Sequence, residues 1–219
     1  MDRVIELRGL IGTATIETIV LSAVGLTIGG LLGLTIGTAL YVTRRGGLMA
    51  NTPVNVVLNV LVNFFRPIPF ILLAIGLQGL VRELFGTGIG NTAAMPIVVF
   101  AATFGIARIV EQNLVSVSPG VLEAARSMGA SRLRVIFTVL LPEAFGPLIL
   151  GFTFAFIAIV DMIAVVGVIG AGGLGNFALQ YGYRQFNPWV TWTAILIVIV
   201  IVQIGQFAGN AAARKVLRR

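Results

Sequence analysis

Long apolar runs interrupted by three basic clusters constrain this chain more than any other feature. Ten of its fifteen Lys and Arg residues fall at Arg44 and Arg45, between Arg108 and Arg134, and from Arg214 to Arg219. Proteins that cross a bilayer keep short positive loops on the cytoplasmic side. The pattern predicts an all-α, multi-pass membrane protein and says which loops face inward.

A helix needs about 20 apolar residues to cross the hydrocarbon core. Five runs qualify: 17–42, 56–81, 92–110, 145–169 and 189–212. An odd number of transmembrane helices places the N-terminus outside and the C-terminus inside once Arg44 and Arg45 are set in the cytoplasm. Loops 43–55 and 111–144 and the tail 213–219 are then inside and, with Arg108 at the inner end of the third run, carry ten basic residues, against Arg3, Arg8, Arg82 and Arg184 outside. Arg66 falls within a span, and inverting the arrangement reverses the bias. Trp189 and Trp192 open the last run where indole rings favour the outer interface. The whole chain, 1–219, reads as a single transmembrane domain.

Composition narrows the function. The chain is 58% hydrophobic and 11% charged, with a mean hydropathy of +1.03, far too apolar for a soluble domain. The net charge of +7 sits at the ends of apolar runs, so it reads as topological and no nucleic-acid partner is expected. Neither Cys nor His is present, which removes thiol and imidazole catalysis, disulfides and the usual zinc ligand sets. Asp2, Arg3, Glu6, Arg8 and Glu17 do not form a basic leader region, so the first run is expected to stay in the mature protein.

In the first run Gly25, Gly29, Gly33 and Gly37 recur every fourth position. On a helix they form a ridge that lets another backbone approach closely. The partner is either another helix of this chain or a second copy.

The loop between the third and fourth runs carries the most information. Ser118-Pro119 is a helix start, with a capping oxygen and a proline at the first helical position. Glu123 lies early in that helix and Arg126 later, which suits the helix dipole and an i,i+3 ion pair. Gly129 supplies a left-handed stop, and Ser131 caps a second helix running to Pro142. The first helix presents Ala124, Ala125 and Ser127 as a small-residue face beside one acid and one base, a knob for a groove in another protein. The alternative is an amphipathic helix lying on lipid headgroups.

Glu123 to Gly129 reads E-A-A-R-S-M-G, followed by L-P at Leu141-Pro142. This resembles the EAA signature of bacterial ABC importer permeases, and the resemblance spans nearly the whole chain, closest to permeases for methionine uptake. R-P-I-P-F (Arg66 to Phe70), R-I-V-E-Q-N-L (Arg108 to Leu114), G-A-G-G-L-G (Gly170 to Gly175), Q-Y-G-Y (Gln180 to Tyr183) and Q-F-A-G (Gln206 to Gly209) carry it further. The resemblance implies a five-span fold and a coupling helix in which Glu123, Ala124, Ala125, Arg126, Ser127 and Gly129 dock on an ATP-hydrolysing subunit. It also implies a homodimer in the bacterial inner membrane, two cytoplasmic ATPase subunits, and a periplasmic or lipid-anchored binding protein. No cofactor is expected on this chain itself; ATP and Mg would be held by the partner ATPase. The cargo expected is methionine, L- and D-, with another small amino acid as the alternative.

The chain departs from the family at Pro67, where the family pattern has Ser, and at Asp161, where it has a small uncharged residue. Asp161 lies about 16 residues into the fourth run, and an acid at membrane depth marks function. It lines a polar pathway, pairs with Arg66, or is held neutral; facing a water-filled cavity without touching cargo is favoured. Val165 aligns with the gate position, and Arg66 is either a pathway contact or a helix anchor. Arg108 and Glu111 are expected to pair at a helix end.

Gly170, Gly172 and Gly175 match the dinucleotide pattern G-x-G-x-x-G, but no strand precedes them. With Gly173 they are expected to form a tight loop at the outer mouth. No P-loop motif is present, so the energy source lies in another subunit. A secondary transporter or channel would need coupling acids or an inverted repeat, and an intramembrane enzyme would need paired catalytic groups. Both readings have little support.

Overall fold

A backbone with no water around it must satisfy its own polar groups, and helices do this within a single segment. The computed structural model describes residues 2–217, and there the chain is helical almost throughout, with no strand among the described residues. Arg218 and Arg219, the end of the third basic cluster, lie outside the described residues. Among the described residues four helices are long and apolar enough to cross a membrane, or five if one bent pair counts as a span.

The first helix runs Arg8–Thr43, 36 residues, or about 54 Å at 1.5 Å per residue. It begins well before the expected boundary at Glu17 and so places that carboxylate within a helix. Gly25–Gly29 forms a π-helical turn in its middle. The glycine ridge packs inside the chain. A Cβ at Gly29 would lie 2.9 Å from the Ala102 Cβ, at Gly33 2.7 Å from the Ile106 Cβ, and at Gly37 2.7 Å from the Val110 Cβ. The ridge partner is thus the central helix, Gly90–Val115. That helix is the most enclosed in the bundle, with Ile97, Val98, Ile106, Ala107, Val110 and Leu114 almost without exposure.

The second apolar run corrects the expectation of one continuous span over 56–81. Thr52–Phe65 and Phe70–Phe85 meet at 106°. Pro67 and Pro69 bracket the break: each lacks an N–H, and the chain turns out of the helical region at Pro69, whose ψ is 129°, while Arg66 still has helical angles. The broken segment still joins opposite ends of the bundle. At one end the Asn55 amide donates to the Leu40 carbonyl at 2.9 Å and the Thr43 hydroxyl at 3.1 Å. At the other, Gln78 donates to the Gly88 carbonyl at 2.8 Å, and the Gly90 N–H to the Gly170 carbonyl at 3.0 Å.

Beyond the central helix come the surface helix Pro119–Ser127 and a second helical stretch over 132–143, which contains a π-turn at Ile136–Leu140. The fourth span is Phe145–Ile169, as expected. An unexpected short helix, Gly173–Phe177, follows and continues into a π-turn at Ala178–Tyr183. The last helix extends over Pro188–Leu217, longer at both ends than the apolar run. Trp189 and Trp192 are exposed at its start.

Candidate functional site

Sequence reasoning places the receiving surface on the helix Pro119–Ser127, and the structure gives that helix a free face. Glu123, Ala124, Arg126, Ser127 and Gly129 are exposed. Gly129 stops the helix at φ 81°, a conformation that disfavours any residue with a Cβ. Three details differ from expectation. Ala125 is buried with Leu122 against the bundle, so it anchors the helix rather than joining the exposed face. Ser118 precedes the helix without a side-chain cap bond, whereas Ser131 accepts from the Arg134 N–H at 3.4 Å. Glu123 and Arg126 form no ion pair among the described residues; an exposed pair gains too little to hold two long side chains in register. The loop after the first helix lies beside this surface. Tyr41, Arg44, Leu48, Leu122, Glu123 and Arg126 wall a shared cleft of about 90 Å³. Two loops expected on one side of the membrane are therefore neighbours.

A second candidate region lies along the fourth span. Phe154, Asp161 and Val168 are exposed at seven-residue spacing, so they share one stripe, with half-buried Val165 beside them. Asp161 has no hydrogen bond or ion pair among the described residues, and the expected alternative of a pair with Arg66 is not formed. Arg66 instead sits at the 106° break. It lines a 90 Å³ cavity with Phe104, Gly105 and Met162, the neighbour of Asp161.

At the opposite end from the surface helix, three distant segments converge on the glycine loop. Glu17 accepts from the Gly173 N–H at 2.7 Å and from the Asn91 amide at 3.0 Å. Asn91 accepts from the Gly172 N–H at 2.8 Å, and the Thr18 hydroxyl accepts from the Leu174 N–H at 2.9 Å. A Cβ on Gly172 would collide with the Glu17 carboxylate. The expected glycine loop is only partly a loop: Gly170 and Gly172 lie in a turn, whereas Gly173 and Gly175 belong to the short helix Gly173–Phe177, and the clamp was not foreseen. The sequence signal was Glu17 itself, an acid at the margin of an apolar run. Glu17→Ala strips two donors of their acceptor, costing about 1–3 kcal/mol for each group left unsatisfied. The expected result is a clearly lower unfolding temperature and faster proteolysis within 167–187, with Glu17→Gln intermediate because it keeps one acceptor oxygen. Equal melting of the Ala variant and the unmodified chain would remove the clamp.

A polar ladder was also missed. Asn55, Asn59 and Asn63 stand four residues apart on one helix face, and the Asn59 amide donates to the Asn55 side chain at 3.1 Å. The Arg108 guanidinium joins Asn63 to Glu111, completing the i,i+3 pair expected there. The pair is largely shielded, with 17% side-chain exposure on both members. Arg108 therefore ties the first half of the broken span to the central helix, which leads directly into the surface helix.

Comparison with known proteins assigns this architecture. Residues 29–218 match the family of binding-protein-dependent transport system inner membrane components. The chain belongs to that family. It is 37% identical over 211 residues to the probable D-methionine transport system permease protein MetI of Vibrio cholerae, covering 96% of this chain and 93% of that protein. It is 44% identical over 171 residues to the methionine import system permease protein MetP of Bacillus subtilis, covering 78% and 77%. A solved inward-facing MetNI methionine ABC transporter contains a chain that superposes with a TM-score of 0.94 at 37% identity, over 96% of this chain and 98% of that one. Within this family of inner-membrane transport components, the exposed helix, the acid-bearing stripe and the clamped loop are three separate regions on one bundle.

Proposed function

We propose that this chain is the permease subunit of an ATP-driven importer that carries methionine across the bacterial inner membrane. The supporting observation is the end-to-end match to a methionine transporter chain, joined to a surface helix that leaves Glu123, Ala124 and Arg126 exposed. Five spans cross, the broken one included, with the N-terminus outside and the C-terminus inside. A four-span alternative would put Arg126, Arg132 and Arg134 outside, against the positive-inside rule. The broken segment reaches from Thr43 to Gly170, which favours crossing.

Two copies form the path, two cytoplasmic ATPase subunits hold ATP and Mg, and a binding protein on the outer face delivers cargo. The ATPase subunits grip the helix around Glu123. That helix must bind differently in the two ATPase states, since equal affinity shifts no equilibrium. Motion passes from Val117 and Leu122, both buried, into the central helix, and through Arg108 to the broken span. Asp161 faces the aqueous path, because turning it to lipid costs about 2.5–3.5 kcal/mol near the bilayer centre. Val165 sits one turn further along the same side.

The deciding experiment reconstitutes the chain with its ATPase and binding protein in vesicles. ATP-dependent accumulation of labelled methionine is expected, competed by methionine better than by other amino acids. Uptake without the ATPase, or stronger competition by another amino acid, overturns the motor-driven or the methionine reading respectively. Because the chain contains no Cys, Asp161→Cys gives a single thiol. It is expected to react with a membrane-impermeant thiol reagent in the assembled transporter, while Leu196→Cys on the last helix does not. No reaction at 161 would remove it from the path.

A further inference from the structure

The turn after the first helix is held in one shape by its own backbone. The Gly47 N–H donates to the Arg44 carbonyl at 2.8 Å, the Met49 N–H to the Val42 carbonyl at 2.9 Å, and the Asn51 N–H to the Thr43 carbonyl at 2.9 Å. Leu48 is buried, and a Cβ on Gly47 would lie 2.5 Å from the Val42 carbonyl oxygen. The two arginines of this turn have different surroundings. Arg44 is half-buried, with its guanidinium carbon 4.0 Å from the centroid of the buried Tyr41 ring. Such stacking fixes a cation over the ring face. Arg45 is exposed and forms no part of the neighbouring cleft wall.

Arg44 and Leu48 line one side of that cleft of about 90 Å³, and Pro119, Glu123 and Arg126 of the surface helix line the other. It has room for the end of one side chain or a few waters. Two cations and one anion border it, and neither arginine is ion-paired with Glu123 among the described residues. An excess positive charge therefore stands at a fixed place beside the helix.

We infer that the 44–48 turn is a second part of the ATPase docking surface, and that the ATPase subunit places a carboxylate between Arg44 and Arg126. The inference rests on the reading that this subunit grips the helix around Glu123. A partner that grips the helix there also meets the turn, because the two share the cleft. Its charges must alternate, with donors for Glu123 and an acid for the arginine pair. An anionic lipid headgroup offers only the acid and leaves Glu123 facing a like charge. Guanidinium groups take carboxylates through paired hydrogen bonds, and complementary signs fix the register of a docked surface. The positive-inside rule applies to Arg44 and Arg45 equally. It does not explain why one of them is stacked on a buried ring at the cleft.

The test uses the full-length chain assembled with its ATPase subunits in nanodiscs, where both faces are open to reagents. Salt washes release the ATPase, and the subunits retained at each step are counted. Arg44→Gln is expected to weaken retention about tenfold or more. Arg44→Lys should weaken it less, because the charge remains, and Arg45→Gln should not weaken it. Equal effects of Arg44→Gln and Arg45→Gln would show that net charge alone matters, and overturn the inference. Because the chain has no Cys, Met49→Cys and Ala124→Cys each supply a single thiol, at exposed positions of the turn and the helix. Both are expected to react far more slowly with a soluble thiol reagent while the ATPase is bound, and to recover once it is washed off. Protection of Ala124→Cys alone overturns the second docking surface and leaves the first standing. Protection of neither removes the ATPase from this face altogether. A Met49→Cys thiol still shielded after the ATPase is gone would show that lipid covers the turn, and would also overturn the inference.

Discussion

Replacing Gly37 by leucine is expected to prevent the bundle from forming. A Cβ there would collide with the Ala107 carbonyl oxygen and lie 2.7 Å from the Val110 Cβ, so the first obstacle is backbone. Neither side can retreat. Leu40, Ala107 and Val110 have no exposed surface, and the next contact up the ridge, Gly33 on Ile106, is equally close. Overpacking a tight interior costs about 1–3 kcal/mol, and more where flexible side chains cannot absorb it. In a membrane, helix association rests on such close packing rather than on apolar burial, so separating the two helices removes most of what joins them. Gly37→Leu should give little monodisperse protein on size-exclusion chromatography. Gly12→Leu, on the same helix with nothing near its Cβ, should behave like the unmodified chain, within about 0.5 kcal/mol. Matching yield and melting of the two variants would mean that the ridge does not hold the bundle.

That ridge shows what a membrane sequence makes legible. Glycines every fourth residue declare a close helix contact, because only backbone and small side chains permit it; the partner stayed open because spacing alone does not say where the other helix is. The long helices, though not all of their ends, followed from hydropathy, and the cleft shared by Arg44, Leu48 and Glu123 agrees with a charge pattern that sets the 43–55 and 111–144 loops on one side. The break at Arg66–Pro69 was misread although both prolines were visible. Long apolar stretches flank Arg66–Pro69 on both sides, and apolar length outweighed the missing N–H groups. The surface helix and its stop followed from Pro119 at the first helical position and from Gly129, although the Ser118 cap did not form. The burial of Ala125 did not, since a nine-residue helix with small residues on several sides gives no strong preference for one face. The Glu17 clamp was beyond reach for a different reason: its bond to Gly173 joins residues 156 apart in sequence, and no local pattern encodes such a pairing.

Glu123→Lys is expected to leave the bundle intact and to stop transport. The side chain is exposed and bonds to nothing among the described residues, so reversing its charge should change stability by no more than about 0.5 kcal/mol. In the proposed docking on an ATPase subunit, its value lies in the docked state. There a carboxylate enclosed by a partner loses its water and takes hydrogen bonds in return. Lysine in its place puts a second cation three residues from Arg126 and leaves the partner's donors facing a positive charge. Losing one member of an enclosed charge pair costs about 2–5 kcal/mol, roughly 30- to 5000-fold in docking affinity. Methionine uptake into reconstituted vesicles should fall by at least the lower factor, and ATP hydrolysis by the partner should no longer respond to loaded binding protein. Melting and vesicle insertion should not change. Glu6→Lys, an exposed reversal at the other end of the molecule that gives up only the surface pair with Arg3, should transport normally, which separates docking from net charge. Transport at full rate by the Glu123→Lys protein would mean that the motor grips the bundle elsewhere.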